Sequence, residues 1–391
     1  MSSSAMAMAD FREVLSLWQP IIFYILLTLG DRMQNPYEYK LYYYNKVSGH
    51  GIAQIYAAGA VAASLADVFG RSVARRVGWK ISAALLLAFL VESCLLKNTE
   101  ELQPLITSKI LSKVCLITIF PLAVGQFNPR MMPSEFVIVT VIGGIGIISG
   151  LVGTFLCDVV YFNCYIMYRI SAVVLTVAFC FHWLGGPSQP IKCLQGPRDG
   201  DWRATTAVLS SQAALWCCST IVEINWCPLS SGTNIDVGVL YALYCQCHLL
   251  GGSFFAVIQM FKATFRYALT LSSIVAATGM FFCAISTYNQ RSVLVAIMAL
   301  TAFHFALGLQ GTALRRLRSK TSVSPVAEAC ARSAGRITGA LLVLFTDHTS
   351  SSELRVVLFV CFASILAAML PVQLLAKWRR RRGPKVLQVL E

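Results

Sequence analysis

Apolar runs of about 20 residues recur along this chain from end to end, and each is long enough to cross the ~30 Å hydrocarbon layer of a bilayer as a helix. They begin near Val14, Gly51, Trp79, Leu105, Ser134, Tyr161, Thr205, Val237, Phe265, Ser292, Val326 and Leu354. With 57% hydrophobic and 13% charged residues, the 391-residue chain lacks the charge that a soluble protein of this size needs to cover its surface. A polytopic all-α membrane protein of twelve spans follows. The net charge of +14 is then no sign of nucleic acid, because the basic residues gather in short loops.

Those loops set an orientation. With a cytosolic N-terminus, the inward loops carry Arg71, Arg75, Arg76 and Lys80, then Arg130, then Lys192, Arg198 and Arg203, then Lys262 and Arg266. Arg315, Arg316, Arg318 and Lys320 follow, and the tail adds "KWRRRRGPK". Outward loops carry Lys46, Lys97, Arg291 and Arg355, with Arg32 and Lys40 if these count as loop. Every alternate loop obeys the positive-inside rule. Both termini are expected in the cytosol, and the tail reads as a topology anchor or an anionic-lipid contact. "MSSSAMAMAD" leads straight into the first span, which reads as an uncleaved signal anchor. Residues 185–203, rich in Gly, Pro and charge, divide the spans six and six. The expected organisation is a bundle over 1–184, a cytosolic linker over 185–203, a second bundle over 204–378 and a basic tail over 379–391.

The stretch "GDRMQNPYEYKLYYY" puts charges and tyrosines directly after the run "IIFYILLTL". The second span must start near Gly51 to end near Asp67, which leaves room only for a tight outer turn. The first helix therefore runs from about Val14 to Tyr43 and bends at Pro36. That places Asp31, Gln34, Tyr37 and Tyr39 within the membrane, where polar groups are costly unless they face a cavity or a partner. Other ionisable residues lie within spans: Lys109 and Lys113, Arg169, Glu223, Arg332 and Arg336. Counting from the loops puts Lys113, Arg169 and Arg336 nearest the midplane. Cations outnumber carboxylates, so a cavity lined this way suits an anion, to which Arg and Lys offer charge-assisted donors. Plainer roles stay open. Lys109 can snorkel, Arg332 can reach the interface, and Arg169 or Arg336 can lock helices by pairing with Asp31 or Glu223.

Six plus six spans around a cytosolic loop is the layout of the major facilitator superfamily. Between spans two and three, "DVFGRSVARR" resembles that superfamily's loop signature through Asp67, Gly70, Arg71, Arg75 and Arg76, although Val68 stands where a basic residue is usual. Asp67 there reads as a conformational latch that pairs with guanidinium groups or a helix N-terminus in one state and releases in another. More closely, Gly30, Asp31, Gln34, Pro36, Tyr37, Tyr39, Leu41 and Tyr42 resemble the first-helix signature of the molybdate-anion transporter family. "GIAQIYAAG", "KILSKVCLITIF", "SSQAALWCCSTIVEINWCPL" and "GALLVLFTD" resemble further helices of that family. The resemblance implies a twelve-helix carrier that imports a small oxyanion, most of all molybdate, by rocking of its halves. Two acidic positions expected in that family are Val124 and Trp216 here, with Glu223 a possible substitute.

No GxSxG, HExxH or Walker-type loop is present, so the chain reads as a secondary carrier rather than an enzyme, with no cofactor expected. "GGIGIISGLVG" lies within an apolar span and reads as small-residue helix packing. Cys217, Cys218, Cys245 and Cys247 lack zinc-site spacing and read as packing residues, and His248 and His304 as packing or hydrogen-bonding ones. The expected partners are a small anion and the lipid bilayer, with no nucleic acid, and the expected state is a monomer in the plasma membrane. A carrier of an organic anion or vitamin, and a non-transporting sensor or scaffold, are the rival readings.

Overall fold

The computed structural model describes residues 3–126, 135–160, 163–184, 202–230, 235–260, 265–287, 293–320, 324–345 and 351–381. Every element among them is helical. The first rod is α1 (Ser3–Gln34), a single 3-10 turn (Asn35–Tyr37) and α2 (Glu38–Tyr44). The second is α3 (Gly49–Leu65), a π-turn (Ala66–Gly70) and α4 (Arg71–Val77). Next come α5 (Trp79–Leu96), α6 (Leu102–Val124), α7 (Glu135–Thr154) with a second π-turn (Phe155–Val159), and α8 (Tyr165–Leu184). The second half comprises α9 (Trp202–Ser230), α10 (Val237–Met260), α11 (Phe265–Ser286), α12 (Val293–Lys320), α13 (Pro325–Leu344) and α14 (Ser351–Arg381). Most of the linker (185–201), Arg130, Lys192, Arg198, Lys262, Arg291 and the tail from 382 onward lie outside the described residues.

These are the twelve rods that the apolar runs predict, and eleven start within four residues of the expected positions. The first starts at Ser3 rather than Val14. Ala and Met favour the helix even where the chain is not yet apolar, so it runs on ahead of the span. Among the described residues, eight helical segments are long and apolar enough to cross a membrane by length and composition alone. α13 falls outside that set because its 20 residues include Glu328, Arg332 and Arg336. Outward faces are apolar: α5 exposes Leu85 and Phe89, α7 Ile148 and Leu151, and α8 Val173 and Val177. Such a girdle is a liability in water and a match to lipid.

Turns between rods are short. Ser48 caps α3 by accepting a hydrogen bond from the Gly51 amide (3.1 Å). Gly78 joins α4 to α5 alone at φ +92°, a conformation that side chains rarely adopt. Within the first half, α1 and α5 pack on α8, and α3 and α5 on α6. Within the second, α9 packs on α13 and α14, and α12 on α10 and α11. The halves meet along two seams, α3 with α13 and α7 with α10. Small residues make the second seam possible. A Cβ built on Gly150 would lie 2.5 Å from the Gly238 carbonyl, and one on Gly146 would lie 2.6 Å from the Cys245 sulfur. The glycine run of α7 is thus helix packing. Cys217, Cys218, Cys245 and Cys247 are buried, and His304 stacks on Tyr244 with ring centroids 4.9 Å apart.

Candidate functional site

Pro36 ends α1, and the 3-10 turn around it re-aims the chain so that α2 begins with Glu38 inside the bundle, 6% exposed. Glu38 Oε1 accepts from Lys97 Nζ (2.9 Å) and from the Tyr42 hydroxyl (3.0 Å). Its Oε2 accepts from Lys109 Nζ (2.5 Å) and from the Tyr56 hydroxyl (3.5 Å). Lys97 also donates to Gln34 Oε1 (3.1 Å). Lys109 and Lys113, four apart on α6, share a face. Lys113 Nζ donates to Glu223 Oε1 (2.6 Å), and Lys109 reaches the same oxygen at 3.4 Å. Since Glu223 belongs to α9, this chain of charges crosses from the first half to the second. Gly59 of α3 makes room for it, because a Cβ there would lie 2.7 Å from Lys109 Cγ and 3.4 Å from Lys113 Cγ. Aromatic faces cover the ammonium groups: Lys109 lies 4.0 Å from the Tyr56 ring centroid and Lys97 5.0 Å from that of Tyr168.

Burial separates two kinds of group in this network. The side chains of Lys97 and Lys109 are 2% exposed and that of Glu38 8%, so these three form a buried tie, out of which Lys109 reaches Glu223 at 3.4 Å. The side chain of Lys113 is 27% exposed and that of Glu223 41%, although both lie within helices and pair across the two halves, from α6 to α9. They face an opening inside the bundle. Three lysines stand against two glutamates, which leaves one positive charge in excess.

The other expected residues divide. Gln34 donates to Ser171 Oγ (2.9 Å) and the Gly30 carbonyl (3.1 Å), which ties α1 to α8. Asp31 is half-buried, 3.8 Å from Arg32, whose Nη1 donates to the Tyr241 hydroxyl of α10 (3.2 Å). Tyr37 donates to Asp158 Oδ2 (3.1 Å), and Lys40 to Asp158 Oδ1 (2.8 Å). Tyr39 is partly buried against the core. Arg169 is not at mid-depth. Its helix starts at Tyr165, later than the loop count implies, so Arg169 sits one turn from that end and is exposed.

Arg332 and Arg336 go to Asp67 rather than to the lysine network. Arg332 grips Asp67 with two parallel bonds, Nε to Oδ2 and Nη2 to Oδ1, both 2.8 Å, and Arg336 Nη1 donates to Oδ2 at 2.9 Å. Beside them the Ser64 and Ser333 hydroxyls each donate to the other residue's carbonyl (3.4 and 3.1 Å). The Arg336 guanidinium lies 4.3 Å from the Trp216 ring centroid, so a tryptophan covers it where a carboxylate was expected from the resemblance. A Cβ on Gly70 would lie 2.5 Å from Thr118 Oγ1, and the glycine lets the π-turn that carries Asp67 close on α6. Arg71 is half-buried, and Arg75 and Arg76 are exposed on α4.

Sequence reasoning missed Glu38, Lys97 and Asp158. Glu38 stood among the tyrosines of the opening stretch, and Lys97 was counted with the outer loop because α5 ends beside it. The signal for both was the surplus of lysines: ammonium groups buried within a membrane require carboxylates.

A family model described as sugar transporters with 12 transmembrane segments matches residues 11–183. Among curated protein sequences none matches the chain. Solved structures do. A partially occluded, inward-open xylose transporter XylE from E. coli superposes with TM-score 0.70 at 10% identity, over 91% of this chain and 96% of that one. The human organic anion transporter MFSD10 gives 0.64 at 11%, over 93% and 99%. The peptide transporter PepTSo gives 0.70 at 13%, over 93% and 98%.

Proposed function

On the fold of the major facilitator superfamily, which this chain has, we propose that it is a secondary carrier whose cargo is a small oxyanion of the molybdate class. One observation carries the reading. Lys113 and Glu223 face an opening between the halves, in a network with one positive charge to spare. A tetrahedral oxyanion needs donors, and Lys113 and Lys109 present ammonium groups from one helix face. The fold itself hosts unrelated cargoes, so the side chains argue the substrate. Alternating access then has a physical form. Asp67, Arg332 and Arg336 hold one end of the α3–α13 seam shut, and their release lets the halves rock. The carrier works as a monomer in the plasma membrane with both termini cytosolic.

A larger organic anion is the second reading, favoured by the aromatic cluster of Trp226 with Tyr241 and Tyr244 close to Arg32. Molybdate uptake by cells expressing the chain, with surface amounts matched, tests both. Saturable uptake is expected, with loss of at least about tenfold in Lys113→Gln, equivalent to ~1.4 kcal/mol. Inhibition by bulky organic anions at lower concentration than by sulfate would favour the second reading. Correctly inserted protein that moves no anion would favour a non-transporting role.

A further inference from the structure

Glu223 occupies the place that a cargo anion needs. Its Oε1 takes Lys113 at 2.6 Å and Lys109 at 3.4 Å, and its side chain is the most exposed member of the network. Glu38, by contrast, is held by two lysines and two tyrosines and is closed off. The charged and titratable groups around the Glu223 carboxylate are Lys109 and Lys113 from α6, Glu38 from α2, Tyr56 from α3 and Arg336 from α13. A carboxylate and an oxyanion cannot share the same two ammonium groups without direct repulsion.

We propose that Glu223 couples transport to protons: it yields Lys113 and Lys109 to the cargo as it takes a proton, and anion and proton cross together. The inference rests on the anion-carrier reading above. The step balances. A proton from the aqueous phase bonds to a Glu223 carboxylate oxygen, the two lysines stay protonated, and the cargo replaces the carboxylate as their counter-ion. Charge counting favours it. With Glu223 ionised, a bound dianion would leave the three lysines and two glutamates with a surplus negative charge. With Glu223 protonated, the site is neutral. Unloading reverses both steps on the far side, where Glu223 releases its proton and reclaims the lysines. The carboxylate is thus a tethered competitor that keeps the empty carrier from returning with its site unsatisfied.

The test uses purified full-length protein in proteoliposomes with molybdate and an imposed proton gradient. Wild-type uptake should rise as the outer pH falls, by up to about tenfold per pH unit for one proton, and should accumulate molybdate against its gradient. Glu223→Gln should lose both the pH dependence and the accumulation. Glu223→Asp, which keeps a titratable carboxyl, should restore the pH dependence. Wild-type uptake indifferent to pH, or gradient-driven accumulation surviving in Glu223→Gln, overturns the coupling while leaving the anion carrier intact. If no oxyanion moves at all, the carrier reading falls, and the proton step is read on the protein alone by infrared difference spectra between neutral and acid pH. A carboxylic-acid C=O band present in wild type and missing in Glu223→Gln supports protonation there, and spectra identical in the two proteins overturn it.

Discussion

Lys113 and Glu38 belong to one network but should fail in different ways when changed. Glu38→Ala takes away the carboxylate between Lys97 and Lys109 and leaves Lys109 only Glu223 at 3.4 Å, and removing one partner of a buried pair costs about 3–5 kcal/mol. A clear drop in the unfolding midpoint of the detergent-solubilised protein is the expected outcome. Lys113 is partly exposed, where ion pairs contribute at most ~1 kcal/mol. Lys113→Gln should therefore keep its midpoint while losing uptake. The sequence exposed one half of this arrangement. Lys109, Lys113 and Glu223 stand out because they interrupt apolar runs. Glu38 and Lys97 do not, because each lies at the edge of a run where a charge looks like the start of a loop. Only the bend at Pro36 and the inward end of α5 turn those edges into interior. Arg332 and Arg336 show the converse. Their depth was legible, but their partner was not, because Asp67 is 265 residues from Arg332 along the chain.

At the scale of helices, the two π-turns share a design. Each lies late in the second rod of a set of three, and each carries an aspartate, Asp67 in one and Asp158 in the other. The wider turn breaks helical register just where a carboxylate must be aimed at cations, Arg332 and Arg336 for Asp67 and Lys40 for Asp158. Apolar periodicity predicted the rods well, yet a one-residue widening leaves no mark on it. Gly59 gives the sharpest test at this scale. Gly59→Leu forces α3 away from α6 or pushes the stems of Lys109 and Lys113 aside. Overpacking of this kind costs roughly 1–3 kcal/mol. A lowered midpoint together with lost uptake is expected, while Gly144→Ala, where a Cβ meets nothing within 4 Å, should change neither.

For the whole molecule, the α3–α13 seam is where two halves become one machine. Ser64 and Ser333 touch across it, each hydroxyl on the other's carbonyl, which makes this pair the place for an engineered cross-link. A Ser64→Cys/Ser333→Cys double variant, with the exposed Cys180 and Cys330 replaced by Ser, should lose uptake on mild oxidation and regain it on reduction. Uptake that survives full cross-linking would mean that this seam does not open during the cycle. The glycines of α7 announced a close helix contact. Which helices meet across the divide was not readable, because every apolar face looks alike to a neighbour and only the matching of small residues selects a partner.

The tie between Glu38 and Lys109 also bears on how the chain is made. The two residues are 71 positions apart, an interval of about 4–14 s at a synthesis rate of ~5–20 residues per second. For that time the first rod has emerged with a carboxylate whose second ammonium partner does not yet exist, and a bare charge in lipid is expensive. The first rod cannot settle into the bilayer one helix at a time. It must wait, sheltered by the insertion machinery or held at the membrane surface, until α6 arrives, so the first four rods enter as a group. A nascent chain stopped before Lys109 should stay cross-linkable to the translocation machinery through its first rod, and one stopped well beyond α6 should not.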